Sequence, residues 1–144
     1  MLCAYLLAAI LFPAGPVFFP PSLVTGVEHA MQSEKESRTP AQRKISSQLL
    51  YEIYRLRGEA KQKQVPEGAT LVRFDAKKRA LVDVRAEVTP ALEKKVEKLG
   101  ATIVSTSQKY RSIVAWVPLL ALERIAEDRT VSAIEPAAEA ITAK

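Results

Sequence analysis

Residues 2–12 (LCAYLLAAILF) form an unbroken apolar run that Pro13, Gly15, Pro16, Pro20 and Pro21 then interrupt. The run has the length of a signal-peptide core and is short for a membrane crossing. Residues 1–26 are therefore expected to direct export, cleaved after Gly26 or kept as an N-terminal anchor. Val24 and Gly26 have the spacing of a cleavage site, although no basic residue precedes the run. Residues 27–39 are polar and aperiodic and read as a linker. Thr39-Pro40-Ala41-Gln42 then has the form of a capped helix start. Ile45, Leu49, Ile53 and Leu56, widened by Leu50 and Tyr54, recur every three or four residues, and Gly58 supplies a stop. One amphipathic helix is expected over 40–58. Residues 62–68 (QKQVPEG) are a second polar break, which puts a compact domain at 69–136.

Inside that domain the period changes to two. Residues 71–75 and 80–88 read as a hairpin around Ala76-Lys77-Lys78. Val82, Val84, Ala86 and Val88 alternate with Leu81, Asp83, Arg85 and Glu87, which predicts a strand with one apolar face. Thr89-Pro90 starts a helix with Leu92, Val96 and Leu99 on one side and Gly100 at its end. Residues 101–107 (ATIVSTS) are β-rich, 108–111 turn the chain, and 112–117 (SIVAWV) form another strand. Pro118 opens a helix with Leu119, Leu122, Ile125 and Ala126 inward, and 131–135 (VSAIE) close the series before Pro136. The halves match at an offset of 30, with Ala91-Leu92-Glu93-Lys94 on Ala121-Leu122-Glu123-Arg124 and Val84 on Val114. The expected fold is α+β: a ferredoxin-like split βαβ (βαββαβ) with an antiparallel sheet and two helices on one face. The first and third strands should be central, with the N-terminal helix and the hairpin strand as additions.

The strand at 112–117 is apolar on both sides. Ile113, Ala115 and Val117 point one way and Val114 and Trp116 the other, which calls for cover on both sheet faces. Two helices can cover only one. The second face is left either to the helix containing Ile45 and Leu56 or to another protein domain.

Composition narrows the chemistry. The chain has 144 residues, 48% hydrophobic and 26% charged, which suits one globular domain plus an appendage. Its single Cys (Cys3) excludes an internal disulfide or a cysteine zinc site, and its single His (His29) leaves little for acid–base work. The net charge of +5 is spread among interspersed signs, with eight basic and five acidic residues in 28–66 and thirteen and eleven in 67–144. No basic stripe results, so no nucleic-acid partner is expected. Tyr110 and Trp116 are too few to stack bases on a sheet. There is no Gly-rich phosphate loop, GxSxG or HExxH. Glu123 and Glu127, and Lys94, Lys95 and Lys98 beside Glu93 and Glu97, have the spacing of a solvated helix face. The chain is expected to be no enzyme, with no cofactor and no metal.

Residues 81–136 resemble the prodomain that precedes the catalytic domain in secreted bacterial subtilisin-like serine proteases, of the fervidolysin-like kind. The resembling segments are LVDVRAEVTPALEKKVEKLGATIVS, YRSIVAWVPLLALERIAED and VSAIEP. The resemblance implies a domain that inhibits a subtilisin-like protease or assists its folding, in the periplasm, cell envelope or outside the cell. It implies a docking surface at Val114, Trp116, Tyr110 and Arg111. It also implies an extended tail, 137–144, that enters the protease cleft. The residues concerned are Glu135, Pro136, Ala137, Ala138, Glu139, Ala140, Ile141, Thr142, Ala143 and Lys144. The 144 residues themselves hold no protease domain. The other reading is a cell-envelope interaction module without a protease target. Contact with a membrane is expected only through the N-terminal segment, if uncleaved.

Overall fold

A computed structural model describes residues 33–137. The expected export segment 1–26 and tail residues 138–144 fall outside them. The helix start at Thr39 forms as written: Thr39 Oγ1 accepts from the Gln42 N–H (3.2 Å), and Gln42 Oε1 accepts from the Thr39 N–H (3.0 Å). It opens α1 (Pro40–Arg43), which lasts one turn. The single helix expected over 40–58 is broken there. After the Lys44 cap the chain leaves the helix, and residues 44–46 pair with residue 134, the Ser46 N–H donating to Ile134 O (2.9 Å) and the Ile134 N–H to Lys44 O (2.7 Å). Pairing satisfies the backbone that helix would otherwise satisfy, and it buries Ile45. The second helix, α2 (Ser47–Arg57), ends at Gly58, whose φ of 75° is the left-handed cap that glycine adopts without strain. Its buried residues are Leu49, Leu50, Ile53 and Tyr54. Leu56, expected in the stripe, is 60% exposed. It sits about 90° round the helix from the centre of those four at 3.6 residues per turn.

The described part of the expected linker, residues 33–39, is also part of the body. Residues 33–36 are helical, and Glu34 is only 6% exposed. Its carboxylate accepts from Arg38 Nε (2.8 Å) and Nη2 (2.7 Å) and from the Tyr54 hydroxyl (3.2 Å). A buried carboxylate of this kind is tolerable because it is paired and hydrogen-bonded.

Four strands follow: β1 (Arg79–Ala86), β2 (Thr102–Ser107), β3 (Ser112–Pro118) and β4 (Val131–Pro136). They form one antiparallel sheet in the order β2-β3-β1-β4, so β1 and β3 are central. Thr89 caps α3 (Pro90–Lys98) through its side chain. After β3, a 3-10 turn (Leu119–Ala121) leads into α4 (Leu122–Ala126). Residues 71–75 bend back on β1 through one bridge, Phe74 to Ala80, and form no regular strand.

A single core results. Leu49, Leu50, Ile53 and Tyr54 of α2, Leu92 and Val96 of α3, and Leu122 and Ile125 of α4 join one cluster with Ala80, Val82, Val84, Ile113, Ala115, Val117 and Ile134 of the sheet. The N-terminal helix thus shares the core with the other two and does not cover the second sheet face. The repeat also shifts within each half. Leu92 and Leu122, 30 apart, are both buried, but Val84 faces the core while Val114 faces away. In the strands the core positions match at 31, because a side-chain period of two reverses face with each one-residue slip.

Asp128 ties three segments together just before β4. Its Oδ2 accepts from Lys95 Nζ (2.9 Å), its Oδ1 from Thr130 N (3.0 Å) and Oγ1 (2.7 Å), and its backbone carbonyl from Lys44 Nζ (2.9 Å). The Lys95 ammonium and then the Thr130 bonds hold its carboxyl at about 2, below the ordinary 3.8. A lowered acid pKa in the fold gives stability that is present above about pH 4 and lost as pH falls towards 2. Both partners are partly solvated, so the contribution is about 1 kcal/mol after screening. Urea unfolding of Asp128→Asn should show that much of the acid dependence removed between those pH values.

Candidate functional site

Strand register assembles the face away from the helices in three rows across the sheet. Thr102, Trp116 and Leu81 lie in the first row. Ser105, Val114, Asp83 and Glu135 form the second, and Ser107, Ser112, Arg85 and Ala133 the third. β3 alternates buried and half-buried residues along its length, so Ile113, Ala115 and Val117 are in the core while Val114 and Trp116 stay half-buried on the open face. No described residue from the N-terminal segment joins a core on this side.

The face has an apolar corner and a charged remainder. Trp116 and Leu81 are direct cross-strand partners, close enough for the indole to pack on the leucine, and Leu81 is buried. By alternation alone Leu81 falls on the polar side of its strand. Its role as the floor beside Trp116 depends on β1–β3 register, which no local signal in the chain carries. Two more groups meet at this corner through the Leu81 backbone. The Leu81 N–H donates to Arg73 O (2.9 Å), and Leu81 O accepts from the Ala137 N–H (3.1 Å).

Apart from Glu135, the charges on this face are occupied by one another. Asp83 accepts from the Ser112 hydroxyl and pairs with Arg85 Nε (3.0 Å). Arg79 donates through Nε to Asp75 Oδ2 (2.8 Å) and through Nη1 to Thr102 Oγ1 (2.6 Å). A largely paired, hydrogen-bonded surround favours burial of the apolar corner against another surface, with the Glu135 carboxylate left for that surface to meet.

The other expected interface residues sit elsewhere. Tyr110 is 67% exposed in the β2–β3 turn, with Lys109 Nζ 5.5 Å from its ring centre. Arg111 shapes that turn with φ 51° and accepts the Ala86 N–H on its carbonyl (2.9 Å). They are not brought together with Val114 and Trp116 in one register row. Of the expected cleft segment, Glu135 and Pro136 are β4 residues opposite Asp83 and Val82, and Ala137 is buried. These three cannot extend into a cleft without breaking the sheet edge. Ala138, Glu139, Ala140, Ile141, Thr142, Ala143 and Lys144 lie outside the described residues.

A concavity of about 520 Å³ lies under the 62–68 turn, lined by Arg55, Lys61, Gln64 and Glu67 among others, and it carries no nucleophile–base pair. Among the described residues, no group of three or more His, Cys, Asp or Glu is placed to hold a metal, and no helix is long and apolar enough to cross a membrane. Compared with protein-family profiles, with curated protein sequences and with solved structures, the chain matches none.

Proposed function

We propose that the chain is an exported, non-enzymatic domain that binds a subtilisin-like serine protease through the open sheet face, as inhibitor or folding assistant, with a ferredoxin-like split βαβ fold. The strand order β2-β3-β1-β4 and the helices α3 and α4 packed on one face support that fold reading. The observation that carries the functional reading is the partly exposed pair Trp116 and Val114 beside the buried Leu81, with no described helix over them. The corner also adjoins the last described residue. That residue, Ala137, is hydrogen-bonded through its N–H to Leu81 O. Face docking and an extended C-terminal segment would then engage one partner together.

The test is residual protease activity on mixing the purified chain with subtilisin-like enzymes. Inhibition is expected. Trp116→Ser should weaken it about 30-fold, the scale of an aromatic anchor in an interface, while far-UV circular dichroism stays native. Removal of residues 138–144 keeps Ala137 in place and should abolish inhibition without unfolding the domain. Inhibition that survives the truncation rejects tail insertion. Absence of inhibition across the protease class, together with no gain in the refolding yield of those proteases, rejects the reading itself.

A further inference from the structure

The two sheet edges are finished differently. The outer side of β4 is occupied by residues 44–46, and the stretch of β1 beyond β4 by Arg73 and Ala137. Among the described residues, no backbone group other than those of β3 bonds to the β2 backbone. Bare edges usually carry a charge or a proline against stray pairing. Residues 101–107 (ATIVSTS) have neither, and Val104 is 58% exposed. The one guard is a bulge between Ile103 and Ser105, which bends the strand and shortens any pairing without closing the edge.

We infer that β2 is a self-association edge, at which a second copy of the chain pairs Thr102–Ser107 antiparallel and joins two sheets across a two-fold axis. The strand suits its own copy. In the symmetric register Thr102 opposes Ser107, Ile103 opposes Thr106 and Val104 opposes Ser105, so no charge meets a like charge and hydroxyl pairs face each other. The exposed Val104 loses water at the centre of the pairing. Lys98 and Lys109 flank the two ends, so association should tighten as salt screens them. One strand pair buries well under the roughly 1,200 Å² of a standard interface, so the dimer is weak and concentration-dependent. The inference rests on the edge and is independent of what the open face binds.

Sedimentation of the full chain from micromolar to near-millimolar concentration tests it, with amide exchange followed in the peptide spanning 102–107. The expected result is a rising dimer fraction with parallel protection of that peptide. Val104→Lys together with Thr106→Lys, both at exposed positions, should weaken association about tenfold or more and remove the protection while leaving the fold intact. A chain that stays monomeric at the highest concentration overturns the inference. So does association that the double-lysine variant leaves unchanged, or that Trp116→Ser abolishes in its place.

Discussion

Ile53→Ala is expected to destabilise the whole domain by about 3 kcal/mol, the usual cost of removing a large aliphatic side chain from a closed core. Ile53 is fully buried on α2, in the cluster that contains Val82, Val84 and Ile113. The measurement is urea unfolding followed by far-UV circular dichroism and by fluorescence of Trp116, the single tryptophan. Trp116 lies on the sheet face opposite α2, so it reports a region that Ile53 does not touch. If α2 is integral to one cooperative core, both signals shift together and by the same free energy. A shift in the helical signal alone would make α2 an appendage docked on a self-sufficient sheet.

Glu34→Ala should cost a similar amount, about 3 kcal/mol, from a residue with no apolar contribution of its own. The loss leaves the Arg38 guanidinium, whose side chain is 8% exposed, with the neutral Ser47 hydroxyl and no counter-charge, and removes the acceptor of the buried Tyr54 hydroxyl. Removing one partner of a buried pair is worse than removing both. Glu34→Ala with Arg38→Met should therefore be more stable than Glu34→Ala alone, by the same unfolding measurement. A double variant that is weaker than the single one would show that packing, and not the stranded charge, sets the cost. The site also predicts an alkaline limb. Burial, and then the adjacent Glu34 carboxylate, push the Tyr54 phenol up to about 12 from 10. A raised phenol pKa in the fold gives stability that is whole below pH 10 and lost as pH rises through 12. Tyr54→Phe should lack the part of that decline that the wild type shows.

Local signals carried much of the chain's layout. The Thr39 box, the Gly58 and Gly100 stops, and the alternation in β1 and β3 all act within a few residues and needed no partner to be legible. The inward set Leu119, Leu122, Ile125 and Ala126 was legible for the same reason. Two of the departures share a cause. Residues 44–46 leave the helix to pair with Ile134, ninety residues away in the chain, and Glu34 stops being linker because Arg38 and Tyr54 meet it in the core. Each is a local preference overridden by a distant partner.

The candidate surface divides along the same line. That β3 is greasy on both sides follows from SIVAWV alone, because a pleated strand sends neighbouring side chains to opposite faces. Which side stays open could not follow from it. That depends on α2 packing beside α4 instead of beneath the sheet, and on the register that sets Leu81 next to Trp116. Register and helix placement are relations between segments far apart in the chain. Their energies come from surfaces that exist only once the segments meet.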